Sequence, residues 1–252
     1  MRIAVACPSY KRPKVKTLDY LPYCEVFVDG KEGGGYKANN PEENIIICPD
    51  GVQGNVSRVR NYILDYYFEK GYDSVCIIDD DMEGLYRYEV DGFFGYVKKK
   101  LNSEEFMEFL EHATFVTKEW GYKLCGVNPT PDAKAYRHFT PFSTVQFIGG
   151  PFSIHLNNPL RYDERLSLKE DYDLTIKHCR EYRGALRFNA YHYNVEQAKQ
   201  AGGCATYRTS SRELEQLEML EKKWGTGIVK RDKTSRRGFD FNPIIKIPIK
   251  GV

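Results

Sequence analysis

The stretch Val75-Cys76-Ile77-Ile78-Asp79-Asp80-Asp81-Met82 decides the fold. Its apolar run stops abruptly at three acids, and a short apolar run bounded by polar residues reads as a strand buried on both faces. The acids then emerge together at the carboxyl end of that strand, where open α/β sheets place their sites. Side chains alternate across a strand, so Asp79 and Asp81 are expected on one side and Asp80 on the other. Three carboxylates this close repel one another unless a cation or a proton sits among them. A hard divalent ion held by one or two carboxylates and the phosphates of a substrate fits that arrangement. A polar turn running into Gly84 accounts for the same residues without chemistry.

On either side of this stretch the chain alternates strands and helices, which implies a layered α/β fold. Strands are expected at Arg2 to Cys7, Tyr23 to Val28 and Ile45 to Cys48. Gly30 to Asn44 reads as a mobile loop and not as a phosphate-binding P-loop, because no Gly-Lys-Ser/Thr follows it. From Gly54 to Lys70 the residues Val56, Val59, Ile63 and Tyr67 recur at helical spacing, and Gly71 supplies the stop. Beyond the acids, Tyr86 to Val97 is aromatic and fits neither period cleanly. Ser103 to Trp120 reads as a helix capped by Ser103, Asn128 to Ser143 as a long irregular segment, and Thr144 to Gly150 with Phe152 to His155 as a hairpin. A helix over Lys169 to Tyr182, a strand over Ala185 to Tyr191 and a helix over Ser211 to Trp224, capped by Ser211, complete the reading. Residues 1–208 are expected to form the catalytic domain and 209–252 a helix with a basic extension packed on it.

With 252 residues, of which 41% are hydrophobic and 14% aromatic, the chain can bury a sizeable core, and extensive disorder is excluded. Net charge is only +2, but Lys222 to Arg237 holds seven cations against Asp232, so this segment carries +6 and the remainder −4. Such a run is a solvated tail or a surface for a polyanion. The seven cysteines are odd in number and show no C-x-x-C spacing, which points to reduced thiols in the cytoplasm and no structural zinc. No stretch has the length of a signal-peptide core or a membrane span, so no membrane partner is expected. Oligomeric state is left open.

Four stretches fall in a meaningful order: the turn Pro8-Ser9-Tyr10 after the first strand, Gly54 with Arg60-Asn61 opening a helix, Asp79 to Asp81, and Glu170-Asp171 opening a late helix, with Gly149-Gly150 before it. This order resembles the nucleotide-sugar-dependent glycosyltransferases of the GT-A fold, whose pattern runs G-x-x-x-x-x-R-N, D-x-D, a glycine-rich strand, and E-D. The resemblance implies a Rossmann-like three-layer sandwich about a mixed central sheet. Further stretches are similar to the TET-associated glycosyltransferases, a family encoded largely by phages and linked to sugar transfer onto hydroxymethylated pyrimidines in DNA. They are Glu170-Asp171-Tyr172-Asp173-Leu174, Leu186-Arg187-Phe188, Ala201-Gly202-Gly203-Cys204 with Tyr207-Arg208-Thr209, and Lys223-Trp224-Gly225 leading to Asn242-Pro243.

The resemblance implies an inverting transferase using a nucleotide-sugar, UDP-glucose by default, and Mn²⁺ or Mg²⁺. Asp79 and Asp81 would hold the ion, or Asp79 the ribose, with Asp80 beside them. Pro8, Ser9, Tyr10, Arg12 and Asp29 would form the nucleobase and ribose pocket. Arg58, Arg60 and Asn61 would meet phosphate or the acids, and guanidinium suits either. Asp171 is the expected general base, with Glu170 second; acids also suit a helix amino terminus for purely structural reasons. His192 would add a metal ligand, an imidazole role that an ordinary packed histidine mimics; His138 and His155 are lesser candidates. Arg208 would meet the diphosphate or DNA. The +6 segment, with Trp224 and Phe239, would track the backbone of DNA carrying a hydroxymethylated pyrimidine. Its 5-substituent lies in the major groove, so base flipping is not required. A glycan, protein or small-molecule acceptor, a non-catalytic DNA-binding module and a nucleotidyltransferase are the alternatives.

Overall fold

The computed structural model describes residues 1–91, 95–132, 136–195, 203, 207–231 and 241–249. Its helices are α1 (Thr17–Tyr20), α2 (Gly33–Asn39), α3 (Val56–Glu69), α4 (Ser103–Glu119), α5 (Glu170–Tyr182) and α6 (Ser210–Trp224), and its main strands are β1 (Ile3–Pro8), β2 (Glu25–Asp29), β3 (Ile45–Cys48), β4 (Ser74–Ile78), β5 (Met82–Asp91), β6 (Gly95–Lys100), β7 (Leu124–Asn128), β8 (Phe142–Ser143), β9 (Phe152–Leu156) and β10 (Leu186–Val195). They form one sheet in the order β3-β2-β1-β4-β9-β7-β10-β5-β6, with β8 also on β10. The first four are mutually parallel, while β9 runs antiparallel to both β4 and β7. The mixed sheet expected of the GT-A architecture is therefore present.

Alternation along the strands splits the core in two. Val5 and Cys7 of β1 and Cys76 and Ile78 of β4 pack with Phe106 and Leu110 of α4 (Ser103–Glu119). Ala4 and Ala6, with Val75 and Ile77, pack instead with Val59, Ile63 and Tyr67 of α3 (Val56–Glu69) and Leu174 of α5 (Glu170–Tyr182). Each face of β4 thus meets a helix layer, and all five of its residues are buried. The helix cap at 102–105 is one residue earlier than expected: Asn102 and Glu105 make the capping box.

Three segments differ from the sequence reading. Gly30 to Asn44 contains a helix, Gly33–Asn39, because Tyr36 is fully buried there and glycine lets the backbone approach β3. A Cβ at Gly33 would lie 2.5 Å from Ile47 Cδ1. The expected hairpin at 144–155 is absent: β9 already pairs on both edges with β4 and β7, so Thr144 to Gly150 has no ladder to join. The described parts of the aromatic stretch after the acids lie in the antiparallel pair β5 and β6, and β10 extends to Val195.

The late helix, Ser210–Trp224, is capped by Thr209 and not Ser211. Its Leu217 and Leu220 pack on Tyr172 and Ile176 of α5. Trp224 Nε1 donates to the buried Asp173 at 2.7 Å, and Lys223 pairs with Asp163 and Asp173, so these residues anchor the helix. Arg231 pairs with Glu221. Two cations of the basic run are thereby committed to the fold; Lys233, Arg236, Arg237 and Phe239 lie outside the described residues, as do Gly202 and Cys204. The six described cysteines are free and buried. Among the described residues, no helix is long and apolar enough to cross a membrane.

Candidate active site

A cleft of about 900 Å³ opens at the carboxyl ends of β1 and β4 and is walled by the starts of α3 and α5. The turn of acids at its floor is held by its backbone. Thr17, fully buried, donates its hydroxyl to the Asp79 carbonyl at 2.7 Å and accepts from the Met82 amide at 2.9 Å, and its own amide donates to the Asp80 carbonyl at 3.2 Å. The strand ends at Ile78, so pleat alternation does not continue through the acids. Asp80 and Asp81, expected on opposite sides, share one guanidinium: Arg12 Nη1 is 2.7 Å from Asp80 Oδ1 and 3.3 Å from Asp81 Oδ2. Lys11 precedes it in the left-handed region, φ +56°, an unusual conformation for a side-chain-bearing residue that helps turn Arg12 toward the acids. Ser9 hydrogen-bonds Asp80, and Tyr36 Oη bridges Ser9 Oγ at 2.8 Å and the Arg12 amide at 3.0 Å.

Across the cleft a second guanidinium spans the two motifs. Arg60, on α3, donates to Glu170 Oε1 at 2.8 Å, to Asp79 Oδ1 at 3.2 Å and to the Gly150 carbonyl at 3.1 Å. The Gly150 amide donates to Asp171 Oδ2 at 3.0 Å, and the Tyr172 amide to Asp171 Oδ1 at 2.8 Å. Gly150 favours this approach, since an added Cβ would stand 3.0 Å from Arg60 Nη1 and 3.3 Å from Asp171 Oδ2 and push both side chains back by a few tenths of an ångström. Burial alone would lower the Arg60 pKa, but Tyr162, Glu170 and the nearby aspartates outweigh it and raise it. Burial raises both Glu170 and Asp171, the carboxylate neighbour Asp171 adding to the first and Arg60 opposing both. Asp81 is pushed up to about 7, first by burial and then by Asp79 and Asp80.

The residues also suit a cation. Asp81 Oδ1 is buried without a hydrogen-bond partner, and a desolvated carboxylate oxygen left so among like charges is costly. Among the described residues, no three His, Cys, Asp or Glu side chains are grouped to enclose an ion by themselves. A divalent ion here would take its remaining ligands from water or substrate phosphate, the usual habit of Mg²⁺.

Of the sequence-selected residues, the cleft gathers Pro8, Ser9, Tyr10 and Arg12 at one end and Arg60, Glu170 and Asp171 at the other, with Asp79, Asp80 and Asp81 between. Arg208 lines it too. Six others go elsewhere. Asp29 caps its own turn through the Lys31 amide. Arg58 pairs with Glu164 and donates to the Gly51 carbonyl, and Asn61 exchanges two hydrogen bonds with the Tyr162 backbone. His192 stacks on Tyr86 at 5.1 Å and packs against Tyr88 at 5.0 Å; the next residue of β10, Tyr193, is the one that lines the cleft. His155 is buried against Ser153 and Tyr162, and His138 is exposed beside Tyr96. Unforeseen cleft residues are Gln53, Ser167, Lys169, Tyr193 and Glu213. Lys169, directly before Glu170-Asp171, was the one within reach of sequence reasoning.

The model of the family described as TET-Associated Glycosyltransferase matches residues 21–203. No curated protein matches this chain. Among solved structures, the crystal structure of S. aureus TarS 1–349 is similar at 15% identity and TM-score 0.44, over 76% of this chain and 60% of that one. The crystal structure of A197 from STIV is similar at 13% identity and TM-score 0.42, over 80% of this chain and 89% of that one. The chain thus spans 60% of the TarS chain that it matches. The family match covers well over half of the sequence, including the acids, Arg60 and Glu170-Asp171: the chain belongs to the TET-associated glycosyltransferase family.

Proposed function

We propose that this protein transfers a sugar, glucose by default, from a nucleotide donor to the hydroxyl of a 5-hydroxymethylpyrimidine in DNA, with inversion at the sugar carbon. One observation carries the transferase reading: Arg60 joins Asp79, on the floor of the cleft, to Glu170 at the start of α5, where the neighbouring Asp171 is presented. The DNA acceptor rests on family membership.

Pro8 to Arg12 and the acids of the floor would receive the nucleoside and its diphosphate. Mn²⁺ or Mg²⁺, held by Asp81 with Asp79, would supply the Lewis acid that offsets charge on the leaving diphosphate. Asp171 serves as the base. As a residue it is half-buried where Glu170 is buried, and backbone amides hold it in place without neutralising it. As the acceptor oxygen forms its bond to the sugar carbon, its proton passes to Asp171. The bond to the phosphate oxygen breaks, and its electron pair leaves with the nucleoside diphosphate. Arg60 keeps Glu170 and Asp79 together while the charge moves.

The test is mass spectrometry of nucleosides from hydroxymethylcytosine and hydroxymethyluracil DNA incubated with the protein, Mn²⁺ and a panel of sugar nucleotides. A hexose-sized gain on one base supports the proposal. Donor cleavage to nucleoside diphosphate with no gain removes DNA as the acceptor and favours a glycan, protein or small molecule. Release of pyrophosphate replaces the transferase reading with a nucleotidyltransferase.

A further inference from the structure

The late helix contributes to the cleft in a way that the reaction above leaves unused. Lys169, whose side chain is 2% exposed, points its ammonium to Glu213 of that helix. The second oxygen of Glu213 forms an ion pair with Arg208, 3.0 Å from its Nε. Beside them Ser167 has a buried hydroxyl with no hydrogen-bond partner. All four residues line the cleft, next to Glu170 and Asp171. The stacked rings of Phe147 and Tyr172, 4.0 Å between centroids, line the same wall.

Burying a lysine and a glutamate costs free energy that a salt bridge recovers only with good geometry and further hydrogen bonds. Ammonium carries three N–H donors and carboxylate about four acceptor sites, so Glu213 and Lys169 retain capacity after pairing. A phosphate offers only acceptors, so it could meet the ammonium of Lys169 but would leave the acceptor capacity of Glu213 unused. A sugar hydroxyl both donates and accepts, and it can bridge the two groups without bringing charge.

We propose that Ser167, Lys169 and Glu213 form the subsite that recognises the hydroxyls of the donor sugar, and that the late helix thereby sets which sugar is transferred. This rests on the transferase reading. The subsite adjoins the base, which is where a sugar must lie for its reacting carbon to face both the acceptor hydroxyl and the leaving diphosphate.

The experiment compares wild type, Glu213→Gln and Ser167→Ala for kcat/KM with UDP-glucose, UDP-galactose and UDP-2-deoxyglucose, and with the GDP and dTDP counterparts. Inhibition by the free nucleoside diphosphate is measured alongside, and thermal unfolding confirms that the variants fold. Wild type should separate the best sugar from its analogues. Glu213→Gln should reduce that separation on the order of tenfold or more, as expected for a lost hydrogen bond to a charged group, while the inhibition constant of the nucleoside diphosphate stays within about twofold. Ser167→Ala should act in the same direction and less strongly. Unchanged discrimination in both variants overturns the subsite and leaves the transferase standing. An equal loss for sugar nucleotide and free diphosphate also overturns it, since the pair would then serve the phosphates or the fold. No turnover of any sugar nucleotide by wild type ends both readings.

Discussion

Two arginines organise two sets of acids in this cleft, and they do so differently. Arg12 sits on a turn, is 17% exposed, and holds Asp80 and Asp81. Arg60 sits on a helix, is 4% exposed, and holds Glu170 and Asp79. Around Arg12 one carboxylate oxygen, Asp81 Oδ1, is buried without a partner. Around Arg60 both oxygens of Asp171 receive backbone amides. The first centre keeps an unpartnered carboxylate oxygen, whereas the second keeps an unpartnered donor, Arg60 Nε, beside carboxylates that the protein already holds. A centre of the first kind suits a ligand that brings charge with it, and one of the second kind suits a group that must be in place before the ligand arrives.

The largest expected effect is on the second centre. Asp171→Asn keeps the shape and, through its single carbonyl oxygen, one of the two amide contacts, but removes the proposed proton acceptor, so turnover should fall roughly 10²–10⁴-fold. Donor affinity, measured by titration calorimetry, should stay within about threefold. A variant that turns over normally would move the base to Glu170 and erase the division of labour between the two centres.

Stability separates the arginines next. Arg60→Ala leaves Glu170 buried beside Asp171 without its ion-pair partner, and should cost ~3–5 kcal/mol in urea unfolding, the usual loss when one partner of a buried pair is removed. Arg12→Ala, on an exposed turn, should cost ~1–3 kcal/mol. Equal losses would mean that the first centre is as rigidly built into the fold as the second.

Metal binding addresses the incomplete centre. Saturating Mn²⁺, at a hundredfold excess over its dissociation constant, should stabilise wild type by ~2.7 kcal/mol. Asp81→Asn should abolish this increment, and Asp171→Asn should keep it. Stabilisation that survives Asp81→Asn would place the ion elsewhere.

Much of this contrast was legible in the sequence. The strand Ser74–Ile78 is buried on both faces, so its apolar run could be read without knowing its neighbours, and the acids follow from where it ends. Arg60, Glu170 and Asp171 followed from motif order. Arg58 and Asn61 did not, because their partners Glu164 and Tyr162 lie 106 and 101 residues away in a loop that wraps α3. His192 failed on a parity of one, since strand alternation sends Tyr193 into the cleft and His192 against Tyr86. The glycines at 33–35 read as a loop because glycine favours loops in general, and only the burial of Tyr36 explains their helix. The pair Lys169–Glu213 joins two helices, and no local pattern announces such a contact.

The smallest expected effect probes what stands behind Arg60. Its guanidinium lies 5.7 Å from the ring of Tyr162, whose hydroxyl is 3.2 Å from Nε2 of the buried His155. Burial, then His178, Arg60 and Arg161, hold the His155 pKa well below its ordinary 6.5, and burial holds His178 down at about 4. Below pH 6.5 the unfolded chain gains protons on these imidazoles that the folded chain refuses. Their effect is therefore absent above about pH 6.5, and stability falls as pH drops from there toward 4, each histidine adding at most ~1.4 kcal/mol per pH unit to the slope. His155→Gln should flatten that limb by one histidine's share in urea unfolding at stepped pH, while Gln retains an acceptor for Ser153 and Tyr162. It should also widen the acid-side stability difference between wild type and Arg60→Ala, because Arg60 opposes protonation of His155 and that loss falls on wild type alone. No comparable change should appear in the difference between wild type and Arg12→Ala, whose partners are Asp80 and Asp81, with Ser9 on the same carboxylate. Equal widening in both would show that the two centres are electrostatically one.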